Sequence, residues 1–212
     1  MRKQLLTLLL VALFAIPLIT IPDIGLRSVG AQGATREVQP VYTTPDGFLL
    51  GSPVPGALAN LVRGRNGITT NVQTAVAAPG AYTVWWVVFN NPGACATYLC
   101  TFDEPDLVSH AAGHIVSPGG NANLSGSLRV GGPLGEVIYE GPDPGLTNPS
   151  GALITLVVRY HGPALAGMIP QQISTFLGGC PPGGGLSCQD VQLVVFPGNE
   201  CTGACADPTA LP

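Results

Sequence analysis

One eight-residue run limits the folds open to this chain. Tyr82, Val84, Trp86 and Val88 alternate with Thr83, Trp85, Val87 and Phe89, so a strand through this segment is apolar on both faces. A strand of that kind must be covered on both sides. Pro79-Gly80 precedes it and Asn90-Asn91-Pro92-Gly93 follows it, and both are turn punctuation. The run is therefore expected as a short strand at the centre of a core. Trp85 and Trp86 point to opposite faces of it. The apolar flanks favour core positions for both, with a ligand-stacking platform as the alternative for one.

Other segments alternate with one apolar and one polar face. Ile68, Thr70, Val72, Thr74 and Val76 face one way, and Thr69, Asn71 and Gln73 the other. From Asn121 to Val130 the inward set is Ala122, Leu124, Gly126, Leu128 and Val130. Further strands are expected at Leu58 to Arg63, Glu136 to Glu140, Ala152 to His161 and Val191 to Phe196, with an edge strand at Val38 to Thr43. The 29 glycines and 21 prolines supply turns between them. The pattern predicts an all-β chain, an antiparallel β-sandwich of immunoglobulin-like type with long Gly/Pro loops.

The N-terminus has a positive start at Arg2 and Lys3, an uncharged stretch from Gln4 to Pro22 and the small-residue end Val29-Gly30-Ala31. That layout predicts a signal peptide over residues 1–31, with no membrane insertion after cleavage. Residues 32–57 are expected as a loosely ordered lead-in, 58–197 as the β-sandwich domain and 198–212 as a Cys-containing tail. All six cysteines, Cys95, Cys100, Cys180, Cys188, Cys201 and Cys205, follow the leader. An even count in an exported chain reads as disulfides. Six cysteines allow fifteen pairings. The simplest is short-range, Cys95 with Cys100, Cys180 with Cys188 and Cys201 with Cys205.

Beyond residue 31, five arginines face eleven carboxylates, a formal charge of −6. That is too few cations for a phosphate-neutralising surface, so nucleic acid is not an expected partner. Asp103-Glu104-Pro105-Asp106 resembles a helix start, with Gly113 as its end. On such a helix His110 and His114 would share a face. On a regular strand they would stand about 13 Å apart at roughly 3.3 Å per residue. With His161 and nearby carboxylates they form the candidate metal set, for zinc or copper. A blue-copper centre is rejected because no Cys-x-His arrangement is present. No Gly-x-Ser-x-Gly is present, and Ser109 beside His110 is only a sequence neighbour. No catalytic constellation is recognisable.

The segments Ala81 to Pro92 followed by Cys95, Gly113-His114-Ile115-Val116, Val157 to Pro163, and Gln172-Ile173-Ser174-Thr175-Phe176 through Cys180 carry a resemblance. Together they resemble a group of exported bacterial single-domain proteins, whose domain is distantly similar to the chordin-type (CHRD) repeat. The likeness runs from about Leu58 to Phe196. It implies a sandwich-like domain and no particular activity. Chordin-type domains carry a close pair of histidines in a strand, and here His114 alone stands at the comparable place. The expected function is that of a secreted or cell-envelope binding or structural module, not an enzyme, without a cofactor. Its partner would be an extracellular protein or a glycan. The alternative is a metal-binding protein using His110, His114 and His161. Cleavage after Ala31 is checked by mass spectrometry of exported protein: a chain beginning at Gln32 is expected, and an intact Met1 species in the membrane fraction would contradict it.

Overall fold

The computed structural model describes residues 33–45, 49–101, 103–181, 188–207 and 209, so the expected signal segment lies outside the described residues. Gln32–Pro212 forms one compact unit. Its strands are β1 (Thr35–Thr43), β2 (Pro53–Gly64), β3 (Gly67–Ala75), β4 (Gly80–Phe89), β5 (Leu107–Val116), β6 (Asn121–Arg129), β7 (Val137–Glu140), β8 (Leu153–Tyr160) and β9 (Gln189–Phe196). All pair antiparallel in one sheet of order β6-β3-β2-β1-β9-β8-β4-β5-β7. The all-β, antiparallel expectation holds. Where two separate sheets were expected, one continuous sheet curls over on itself.

The turn-over point lies where β1 meets β9. Only Tyr42↔Leu193 and Thr43↔Gln192 pair there, just past a register shift between Pro40 and Tyr42. A shift of that kind bends the strand and lets it change partners. At the far end of the curl, β6 comes against β5 without pairing to it. Gly126 allows the approach, since a Cβ there would stand 3.0 Å from the Ala111 carbonyl oxygen.

β4 is buried at all ten positions. Its Tyr82, Val84, Trp86 and Val88 join Leu61, Val72, Leu124, Leu156 and Phe196 in the core inside the curl. Trp85, Val87 and Phe89 lie on the outer face with Leu153 and Val157. β3 and β6 follow their alternation: Ile68, Thr70, Val72 and Thr74 are buried, as are Ala122, Leu124 and Leu128, whereas Val130, expected inward, lies past the end of β6 and is exposed.

Three expectations are corrected. Leu107–Val116 is a strand, not a helix. The acidic residues that suggested a helix cap serve loops instead: Asp106 accepts from the Asn90 N–H, and Asp103 accepts from the Ala96 N–H and the Thr97 hydroxyl. β1 is not an edge strand, because β2 and β9 flank it. Within the stretch expected as a loose lead-in, Thr35–Thr43 and the start of Pro53–Gly64 are regular strands.

Arg63 spans the turn-over, tying β1 and β2 to the start of β8 and the end of β9. It is buried, forms an ion pair with Glu37, and donates to the carbonyls of Pro149, Ala152 and Phe196. A buried cation is tolerated only with such a complete set of acceptors.

The disulfides are Cys95–Cys100, Cys180–Cys188 and Cys201–Cys205, the short-range set, and no cysteine is free. They fit an oxidising, extracytoplasmic compartment. Each closes a short loop, so each constrains local conformation more than chain entropy at large. Among the described residues no helix is long and apolar enough to cross a membrane.

Trp86 is 1% exposed inside the curl. Trp86→Ala is expected to cost about 3–5 kcal/mol through lost apolar burial and a cavity, measured by chemical denaturation. A loss under about 1 kcal/mol would place Trp86 outside the load of the core.

Candidate binding cleft

The outer face of β4 and β8 is apolar and must be kept from water. Two covers do this. At the Phe89 end, two disulfides form a plug: Cys100 and Cys205 are fully buried, with their sulfurs 3.9 Å apart. Leu99, Cys95 and Cys201 complete it. At the Thr83 end lies a strap, residues 161–180, which carries the short helix α1 (Ile169–Gln172).

Polar side chains pin the strap to the sheet. The His110 Nε2–H donates to the Ile173 carbonyl at 2.9 Å. Arg159 Nε–H donates to the Phe176 carbonyl at 3.2 Å, and its Nη1 pairs with Asp190 at 2.6 Å. The Phe176 N–H donates to Glu136. Gly113 lets the strap lie close, since a Cβ there would fall 1.8 Å from the Ile173 oxygen. Gln172 is fully buried, donates to the His161 and Pro163 carbonyls, and accepts from the Leu165 N–H.

His161 sits in a chain of hydrogen bonds whose directions follow from donor chemistry. The Gly178 carbonyl can only accept, so Nδ1 carries the proton in the 3.0 Å bond between them. Trp85 Nε1–H can only donate, and it does so to Thr83 Oγ1 at 2.8 Å. The Thr83 hydroxyl therefore donates to His161 Nε2, also at 2.8 Å. Burial lowers the pKa of His161, and that of His110, below the ordinary imidazole value. Protonating Nε2 would turn it into a donor and leave the Thr83 hydroxyl without its acceptor.

Between plug and strap a cleft of about 270 Å³ remains open. Its floor is Trp85, Val87, Val108 and Val157. Phe176 forms one wall, edge-on to Trp85 at 5.2 Å and stacked under Arg159 at 3.8 Å. Pro105, Ile138 and Tyr139 line the other side, and Asp190 stands at the edge. Partial burial, then the Glu104 and Asp106 carboxylates, push the Tyr139 pKa up. The cleft is thus an apolar trough with an acidic margin. A second hollow, of about 400 Å³, lies around Arg63 and Arg65, but the Arg63 guanidinium is already committed to Glu37 and three carbonyls.

His110 and His161 both lie on the outer side under the strap, within electrostatic reach of each other, but His114 does not join them. β5 pairs Val84↔Ala112 and then Trp85↔His110, which leaves Ala111 as an extra residue. Such a bulge reverses which face the following side chains take. His110 consequently shares the outer face with Trp85, their rings 5.5 Å apart. His114 is exposed and pairs with Tyr82, whose side chain belongs to the inner core. Two clusters of three metal-donor groups lie close among the described residues: His161 with Cys180 and Cys188, and Asp103 with Cys95 and Cys100. In both the sulfurs are joined as disulfides, and metal binding needs thiolates. Ser109 pairs with Trp86, on the opposite face from His110, so the two form no nucleophile–base pair.

Asp190 and Tyr139 are absent from the residues that sequence reasoning singled out, and Gln172 and Phe176 entered it only as part of a resemblance motif, without a role. One signal pointed to them. Arg159 is a lone cation in the apolar run of β8 and has to find partners nearby. No family model matches the chain, and no curated protein or solved structure matches it.

The lowered histidine pKa values give stability a definite pH dependence. In the unfolded chain each imidazole binds a proton near pH 6.5, while in the folded chain it does so only at lower pH. Between those values the unfolded state holds more protons, so stability falls as pH falls below about 6.5. Denaturation series from pH 8 to pH 5 are expected to show this decline, shallower in His161→Gln. An equal decline in the variant would remove His161 as its source.

Proposed function

We propose that the protein is an exported, non-catalytic binding module whose ligand site is the cleft above Trp85 and Val157. One observation carries this reading. Of the nine side chains lining the cleft, seven are apolar, and only Tyr139 and Asp190 are polar. A sugar placed there would leave buried hydroxyls unpaired, a cost of about 1–3 kcal/mol for each group. An apolar group gains instead from leaving water. The volume suits one aromatic ring or a branched aliphatic group. Asp190 is already paired with Arg159, so it is the Glu104 and Asp106 carboxylates beside Tyr139 that favour a neutral or positively charged carrier of that group.

Export is supported by the three disulfides and by the leader-like N-terminal sequence. A sandwich-like reading of the domain is supported by the approach of β6 to β5, and the CHRD-type likeness rests on the sequence segments alone. The rigid pinning of the strap suits binding, since a preformed site loses little freedom when its ligand arrives.

The test uses benzylamine and phenylacetate as probes, followed through the methyl NMR signals of Val87, Val108 and Val157. Saturable shifts are expected with benzylamine, with phenylacetate weaker. Val108→Phe, which fills the floor, is expected to weaken benzylamine at least tenfold. Absence of shifts at these methyls would overturn the cleft as the site.

A further inference from the structure

Charge is divided unevenly over this molecule. No carboxylate occurs from residue 47 to 102 or from 107 to 135, so β2, β3 and β6 have none. The one carboxylate of β1, Glu37, pairs in register with the core residue Leu61 and is bound to the buried Arg63. Of the five arginines beyond residue 31, Arg63 and Arg159 form ion pairs. The other three gather on this wing. Arg36 lies on β1, Arg65 in the turn between β2 and β3, and Arg129 at the end of β6, opposite Gly67. The Val130 N–H donates to the Asn66 carbonyl, which holds the end of β6 beside that turn. All three arginines are exposed, and none forms an ion pair among the described residues. A chain with a formal charge of −6 thus keeps one cationic sheet face.

The same face is built of amides and hydroxyls. Ala59, Leu61, Ile68, Val72 and Leu124 point into the core, so their strand neighbours Asn60, Thr69, Asn71, Asn123 and Ser125 point outward. Register sets Asn60, Asn71 and Ser125 in one row across three strands. The next row is Arg36, Val62, Thr69 and Ser127. A hollow of about 340 Å³ lies here, with Arg36, Asn60, Thr69, Asn71 and Gln73 in its lining. Several of these groups are already oriented. Arg36 Nε–H and Nη2–H donate to Asn60 Oδ1 at 3.1 and 2.6 Å, which leaves Nη1 for a ligand. Asn71 Nδ2 donates to Asn123 Oδ1 at 2.6 Å and to Ser125 Oγ at 2.7 Å. Ser125 therefore keeps its own proton to donate, and Asn123 keeps its NH₂. Groups held in this way lose little freedom when a ligand arrives.

We propose that the outer face of β1, β2, β3 and β6 binds an acidic polysaccharide, a sugar chain that carries uronate carboxylates. The unpaired arginines set the sign of the ligand, and the guanidinium fork matches a carboxylate. A sugar hydroxyl both donates and accepts, and so do the Asn, Gln, Ser and Thr side chains of this face. Protein interfaces centre on aromatic side chains and are poor in Ser, whereas the outward positions of these rows hold no aromatic residue. Nucleic acid would likewise find no ring on which to stack a base, and three arginines neutralise few phosphates. The site is separate from the cleft, with which its hollow shares no lining residue. The Glu104 and Asp106 carboxylates beside Tyr139 would repel a polyanion from the cleft itself.

The experiment measures binding of the oxidised, exported protein to polygalacturonate by calorimetry, with neutral dextran and polyaspartate as comparison polymers. Binding to polygalacturonate is expected, at least tenfold tighter than to either comparison polymer. Raising salt from about 50 to about 500 mM should weaken it at least tenfold, as for exposed charges. Arg36→Gln/Arg129→Gln is expected to lose at least tenfold in affinity. Thr69→Val/Gln73→Ala, which leaves every charge in place, is expected to lose at least threefold. Both variants change exposed side chains, so their denaturation midpoints should match that of the parent. No binding to polygalacturonate would overturn the proposal. So would equal binding to polyaspartate, tighter binding to phosphatidylglycerol vesicles, or unchanged affinity in the arginine variant. Benzylamine binding in that variant reports on the cleft separately.

Discussion

The structure depends on one requirement: both faces of β4 have to be dry. Ten successive buried residues place apolar surface above and below a single strand. The curl of the sheet supplies one cover, by bringing β2, β3 and β6 over Tyr82, Val84, Trp86 and Val88. It cannot supply the other. The outer face is left to loops, which lack the regular hydrogen bonding of strands and need another source of rigidity. At one end that source is covalent, two disulfides side by side. At the other it is polar, a set of side chains bonded to strap carbonyls.

Those polar side chains share one task. Asn90 is buried and bonds the carbonyls of Asp143 and Gly145 and the N–H of Thr147, so it organises the 141–148 loop. Gln172 does the same for the turn after β8, and Arg63 for the loop before it. Each satisfies backbone groups that a long loop would otherwise leave unpaired near the core. The covers can then be thin, and a thin cover leaves a gap. The cleft is the part of the outer face that neither plug nor strap reaches.

The bulge at Ala111 has consequences out of proportion to its size. It turns His110 outward to hold the strap, keeps Ser109 on the inner side with Trp86, and sends His114 to the opposite face from His110. The same residue receives Gly126 where β6 closes on β5. One extra residue in one strand thereby separates a candidate metal set and positions a binding wall.

Much of the architecture was legible in the residues. Period-two alternation named the inner faces of β3, β4 and β6, because side-chain direction along a strand is a local property of the backbone. Short cysteine spacings pointed to the three disulfides for the same local reason. β5 was misread because Asp103 and Asp106 look alike whether a carboxylate caps a helix or a distant loop; the choice depends on Ala96 and Asn90, which lie elsewhere in the sequence. The central place of β1, the bulge at Ala111 and the gathering of Trp85, Val108, Tyr139 and Phe176 around one cleft were decided only in three dimensions. Each depends on register and on contacts between distant segments, and the energy that selects them comes from covering β4 as a whole, not from any stretch of sequence taken alone.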